Sequence, residues 1–218
     1  MHELLQQIFS GLAAGAVYAS VALALVMIYR ATDLVNFAQG EMAMFSTYIA
    51  WSLVTVGLPF WAAFLITLVA SFLGGMAIER IIIRPVENAP VLAAVIVTIG
   101  LGLIFNSLAG WFYSYTVQDF PSPFPDRPLF GALMTTQELG VVGVTLVMLT
   151  LLFLFFRFTK TGLAMRAAAQ NPESARLCGI PVGRMLAIGW GLAAAIGATA
   201  GIMVAPVLFL DPYMMSGV

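Results

Sequence analysis

Apolar residues run in long unbroken blocks along this chain, and charged residues fall almost entirely between them. The charge-free stretches are Ile8 to Tyr29, Met42 to Ile78, Val91 to about Phe112, Leu139 to Phe156 and Met185 to Leu210. A helix rising 1.5 Å per residue needs about 20 apolar residues to cross a hydrocarbon core. Met42 to Ile78 is too long for one such helix and is interrupted by Gly57-Leu58-Pro59, so it reads as a tight helical hairpin. The pattern therefore predicts an all-α, polytopic transmembrane bundle forming one domain over residues 1–218. Its six expected spans cover about 5–29, 41–57, 60–79, 91–112, 139–156 and 185–210. The second is short, so it either stands upright or is completed by the preceding loop.

The basic residues orient these spans, because loops rich in lysine and arginine stay in the cytoplasm. Arg30 follows the first span, Arg80 and Arg84 follow the third, and Arg157, Lys160, Arg166, Arg176 and Arg184 lie between the fifth and sixth. All of these fall on one side, against Arg127 alone on the other. The expectation is a multi-pass inner-membrane protein with the N-terminus and the Gln118–Glu138 loop outside. The run Phe120-Pro121-Ser122-Pro123-Phe124-Pro125 cannot continue a helix and is expected to cap the spans. Trp111, Phe112, Tyr113 and Tyr115 sit where an interfacial aromatic belt belongs.

Composition agrees: 61% of residues are hydrophobic and 9% charged, where a soluble domain carries about 25% charged. A net charge of −1 and the lack of a basic aromatic patch give no basis for nucleic-acid binding. Cys178 and His2 are the single cysteine and histidine, so neither a disulfide nor a Cys/His metal cluster is expected, and no cofactor is. Glu3 precedes the first apolar run and no basic n-region is present, so that run is expected to be kept as a span. No Gly-x-Ser-x-Gly elbow or paired intramembrane aspartates point to an enzyme. Small residues recur at packing intervals, Gly11, Gly15 and Ala19 in the first span and Ala193, Gly197 and Gly201 in the last. No ionisable residue is expected in mid-span, which weighs against an ion-coupled carrier or channel, the alternative class.

Two polar stretches carry the candidate chemistry. The first, Asp33 to Glu41, joins two apolar spans yet is only half polar, so it either turns the chain at the cytoplasmic face or dips into the membrane as a broken helix. Asn36 and Gln39 have capping-box spacing, and Asp33 offers an earlier cap. Gly40 permits close packing. By local physics the simple turn is the plainer reading.

The second is the basic loop 157–184. Thr161 is expected to cap a helix through Gln170. Asn171-Pro172-Glu173 then has the order of a fresh helix start: cap, N1 proline, acid at the positive dipole end. That helix should stop at Gly179, with Pro181 just beyond. Alanines 164, 167, 168, 169 and 175 offer a smooth face for a partner's groove, and Arg166 and Arg176 offer charges to its acids. A loop this structured exceeds what orientation or contact with anionic lipid requires.

Leu34-Val35-Asn36-Phe37-Ala38-Gln39-Gly40-Glu41 and the block from Thr161-Gly162-Leu163-Ala164-Met165-Arg166 through Asn171-Pro172-Glu173 to Cys178-Gly179-Ile180 resemble the permease family of ABC importers for branched-chain amino acids. With the span order, the resemblance covers essentially the whole chain. It implies two cytoplasmic ATPase subunits, a second homologous permease and an extracytoplasmic solute-binding protein. The absence of a Walker-type phosphate loop from this chain is in keeping with that division. The resemblance places Asn36, Gln39, Gly40 and Glu41 near the substrate pathway. It makes Gly162, Ala164, Arg166, Ala167, Asn171, Ala175, Arg176 and Gly179 the ATPase-coupling residues. Many ABC importers carry Glu-Ala-Ala in this loop, whereas Ala167 precedes Ala168 and Ala169 here. The substrate it implies is a branched-chain amino acid or a similar small polar solute such as urea, an amide or a carboxylate. Permeases of this family continue beyond a sixth span, so it also implies that the chain is C-terminally incomplete.

Overall fold

The computed structural model describes residues 2–32, 35–87, 89–124, 127–129 and 134–215. Readings at Asp33, Leu34, Pro125 and 216–218 lie outside the described residues, as do those on the side chains of His2, Glu3 and Arg30.

The described residues form α1 (His2–Thr32), α2 (Gln39–Thr55), α3 (Phe60–Ile78), α4 (Val91–Tyr113), α5 (Thr136–Phe158), α6 (Lys160–Gln170), α7 (Pro172–Leu177) and α8 (Val182–Leu208). Two-residue strands β1 (Pro128–Leu129) and β2 (Met134–Thr135) pair antiparallel before α5. The chain is an all-α multi-pass membrane bundle. Among the described residues five helices are long and apolar enough to cross a bilayer: Gln6–Tyr29, Phe60–Val86, Val91–Tyr113, Thr136–Phe158 and Val182–Leu208. The expected sixth, α2, has 17 residues, or about 25 Å against a core of about 30 Å. It starts at Gln39 and ends at Thr55, so it is shifted relative to the expected 41–57 without becoming longer.

Local chemistry sets most element ends. The α2–α3 hairpin closes as Val56, Gly57 and Leu58 donate their N–H groups to the Ser52, Val54 and Leu53 carbonyls. Gly57 takes φ +103°, open to glycine without strain. Thr135 and Glu138 make a capping box, so α5 starts before the expected Leu139. Beyond Ile78, α3 continues through a π-turn (Glu79–Ile83) and a 3₁₀ turn (Arg84–Val86).

Helix α8 is the axis of the bundle: 72% of its apolar stretch is buried, against 11% for α5. It packs on α1, α2 and α3. Glycines allow this. A Cβ on Gly197 would lie 2.5 Å from Gln39 Nε2, and one on Gly201 would collide with Thr47 Oγ1. On the α3 side, a Cβ on Gly75 would lie 2.6 Å from the Trp190 carbonyl and one on Gly191 2.7 Å from that of Phe72. The expected small-residue seam of the last span is thus a helix contact. That of the first span is not, because Gly11 and Gly15 face outward with nothing within 4 Å of an added Cβ. Helix α1 instead turns Ala13, Val17, Ser20, Ala24 and Ile28 inward, at helical spacing.

The 118–124 run packs over one end of the bundle. Phe120 is buried and meets Phe60 edge-on, and Phe124 meets Trp61. Gln118 and Leu210 exchange backbone hydrogen bonds of 2.9 and 3.0 Å. Trp111, Phe112 and Tyr115 are exposed, but Tyr113 departs from the expected belt. It turns inward to stack on Tyr48 at 4.6 Å and meets the Ser52 hydroxyl at 3.0 Å.

Candidate functional site

The first polar stretch is not a surface turn. Gln39 Nε2 donates to the Ala193 carbonyl at 3.0 Å, and Ala193 lies near the midpoint of α8. A Cβ on Gly102, the midpoint of α4, would lie 3.6 Å from the Ala38 Cα and from the Glu41 Cγ. Helix α2 therefore starts halfway along its neighbours, and the chain dips into the bundle to reach that point. Asn36 shapes the break. Its Oδ1 accepts from the Ala38 N–H at 3.0 Å, and its Nδ2 donates to Gln39 Oε1 at 3.2 Å. Asn36 and Gln39 are buried, while Val35 and Phe37 point outward. The expected capping box does not form. Ala38 occupies the N-cap and no side chain caps the helix, because Asn36 closes a tighter turn and Gln39 is drawn to α8.

Glu41 qualifies a second expectation: it lies in the first turn of α2, yet beside Gly102 at the midpoint of the α4 span. Its Oε2 accepts from Asn106 Nδ2 on α4 at 3.3 Å, and the same Nδ2 donates to the Pro212 carbonyl at 2.7 Å. Among the described residues the carboxylate has no salt-bridge partner. The segment after α8 turns back to meet this point: Met214 and Met215 are buried, and a Cβ on Gly40 would lie 3.4 Å from the Met215 Cβ. Glu41, Asn106 and a backbone carbonyl thus converge where α2, α4 and the 211–215 segment meet. Carbonyl and carboxylate oxygens give the cluster an acceptor character suited to a polar solute.

The second stretch folds as two helices, with one cap moved. Thr159, not Thr161, caps α6 by accepting from the Gly162 N–H at 2.9 Å. Asn171 Oδ1 caps α7 through the Ser174 N–H at 2.9 Å, and Pro172 follows at N1. Gly179 ends the unit at φ +79°. Gly162 is buried at the corner between α5 and α6, where a Cβ would run into the Phe155 carbonyl.

Of the five alanines only Ala169 is exposed. Ala168 and Ala175 are buried with Met165, Val182, Met185 and Leu186, and Ala164 packs on the same cluster. Ala167 is half-buried. Small residues let α6 and α7 lie flat on the start of α8, which turns the other side outward. That outer side presents Arg166, Arg176 and the capping Asn171, with Leu163 and Leu177 at 61% and 90% exposure. The exposed apolar knobs of α6 and α7 are these leucines.

Comparison with known proteins places this architecture. The family described as the permease component of the branched-chain amino acid transport system matches residues 7–215. The chain belongs to that permease family. It is 29% identical over 226 residues to the high-affinity branched-chain amino acid transport permease LivH of Escherichia coli K12, covering 96% of this chain and 73% of the relative. It is 27% identical to BraD of Pseudomonas aeruginosa over 218 residues, 93% of this chain and 71% of the relative. A probable LivH of Methanocaldococcus jannaschii is 30% identical over 193 residues, 83% of this chain and 60% of the relative. No solved structure matches the chain. These relatives are transport permeases, not enzymes.

Two parts of the permease escaped sequence reasoning. Asn106 is a lone amide in an apolar span, and its position was the available signal, since polar groups there pack on a partner or a pathway. The other part is an ion pair at the end of α3. Arg84 donates to both Glu79 oxygens, at 2.8 and 3.2 Å, and to the Gly183 carbonyl of α8 at 2.7 Å.

Proposed function

We propose that this permease is the translocating subunit of an ATP-driven importer for branched-chain amino acids or a similar small polar solute. Asn36, Gln39, Gly40 and Glu41 border the pathway, joined there by Asn106. The observation that carries this reading is the start of α2 at the midpoint of α4 and α8, which sets amide and carboxylate groups deep in an apolar bundle. Interrupted helices at that depth supply polar groups to a solute without exposing backbone to lipid.

In this reading the protein sits in the inner membrane with its N-terminus outside and loop 157–184 in the cytoplasm, as the basic loops favour. Arg166, Arg176, Leu163 and Leu177 face a cytoplasmic ATPase. Gly162, Ala164, Ala167, Asn171, Ala175 and Gly179 shape the unit that carries them. A second homologous permease completes the pathway, a solute-binding protein delivers from outside, and membrane lipid covers the outward apolar helices.

The test is uptake of leucine, isoleucine and valine into liposomes holding the full assembly. Uptake that requires ATP and the solute-binding protein is expected. Glu41 beside the middle of α4 is the observation that favours an ion-coupled carrier or channel instead. Uptake by the permease alone, driven by an ion gradient without ATP, would establish that alternative and sink the importer reading.

A further inference from the structure

The Arg84 contacts join elements distant in sequence and lie directly beside the two-helix loop. In an α-helix, residues five apart point about 140° away from each other. The π-turn over Glu79–Ile83 widens the helix, so that Glu79 and Arg84 come onto one face. There the guanidinium forks across both carboxylate oxygens and has a donor left for the Gly183 carbonyl. Gly183 leaves room for it: a Cβ would lie 3.4 Å from the Arg84 Cζ. Glu79 is 1% exposed, so its charge is taken out of solvent.

Stability alone is a poor reason for such a pair, since the Arg84 side chain is 37% exposed and ion pairs open to solvent contribute little. A forked ion pair supplies a fixed direction and distance between two elements. Those elements are telling. Gly183 is the second residue of α8, and Val182, Met185 and Leu186 are sealed to α6 and α7 by the apolar cluster around Ala168 and Ala175. Farther along, Gly75 and Gly191 bring α3 and α8 into backbone contact, and Ala193 receives Gln39 at the start of α2. A displacement of the loop thus has a continuous solid route to α8. Arg84 adds a directed polar link to α3 at the loop end of that route.

We infer that Arg84 is a positioning residue for transport: held by Glu79 and bonded to the Gly183 carbonyl, it makes α3 move with α8 when the loop 157–184 is displaced. The inference rests on the loop docking an ATPase, as read above. The two fail separately. Loss of the docking reading appears as normal ATPase recovery with Leu177→Glu, whereas the present inference concerns a permease that keeps its ATPase.

The experiment compares solute imported per ATP hydrolysed, in liposomes carrying the complete transporter. Arg84→Gln is expected to retain assembly and hydrolysis within about twofold while uptake falls at least about tenfold. Arg84→Lys keeps a charge beside Glu79 but lacks the fork, so it is expected to assemble and to import at an intermediate ratio. That variant covers the case in which the glutamine form fails to fold. Replacing Arg84 and Gly183 by cysteine in a Cys178→Ser background, then bridging them with a short bis-thiosulfonate reagent, should restore uptake. A wild-type ratio of import to hydrolysis in both the glutamine and lysine variants would overturn the inference. So would a bridged permease that hydrolyses ATP without importing.

Discussion

Two polar stretches interrupt the apolar helices of this permease, and different forces hold them. The loop 157–184 is built from neighbours: Thr159 caps α6, Asn171 caps α7, and Gly179 ends the unit, each contact reaching only a few residues. The stretch 35–41 is built from strangers. Gln39 is held by Ala193, 154 residues away, and Glu41 by Asn106, 65 residues away. The loop is therefore a folded unit laid on the end of α8, while the stretch 35–41 takes its form from α4 and α8 around it. Substitutions should separate the two accordingly, the inner stretch failing by loss of fold or passage and the loop failing by loss of a partner.

Gly197→Leu attacks the inner stretch hardest. A Cβ already meets Gln39 Nε2 at 2.5 Å, so the larger side chain is expected to push α2 off α8. The expected cost is about 3 kcal/mol, the upper part of the overpacking range. A thermal melt of the purified permease that matches wild type would remove the claim that this seam sets the depth of α2. Glu41→Gln keeps the oxygen that Asn106 donates to and removes only the charge. Uptake should fall about tenfold, which is about 1.4 kcal/mol, with the melt unchanged. Unchanged uptake would show that passage does not need the charge.

The loop should answer differently. Leu177→Glu, at 90% exposure, is expected to weaken ATPase recovery about tenfold while shifting stability by no more than about 0.5 kcal/mol. A destabilised permease would mean that the leucine packs within its own subunit. Asn171→Ala removes a cap worth about 1 kcal/mol. It should speed amide exchange in 173–177 and leave α2 and α8 protected. Equal loss of protection in α8 would erase the distinction between a locally held loop and a globally held core.

Much of the architecture was legible because it depends on near neighbours. Runs such as Val91 to Phe112 announce a span whatever surrounds them, and Asn171-Pro172-Glu173 announces a helix start from three residues. Thr135 and Glu138 carried the same kind of signal one turn before Leu139, and reading the charge-free stretch alone missed it. The alanines of α6 and α7 were visible as a pattern but not as a direction. A small face serves a partner's groove and the chain's own α8 equally well, and the burial of Ala168 and Ala175 decides between them.

By itself the sequence determined the all-α class, the long apolar helices, the break between α1 and α2, and the two-helix form of the loop. Each follows from hydropathy, capping and glycine or proline chemistry within a few residues. Only the tertiary structure decided that the break lies at the middle of α4 and α8, that Glu41 faces Asn106, and that Arg84 joins α3 to Gly183. Such facts depend on which helix stands beside which. A side chain buried in an apolar bundle must meet its hydrogen-bonding needs from whatever neighbour the packing brings within about 3 Å, and the identity of that neighbour is a property of the assembled bundle.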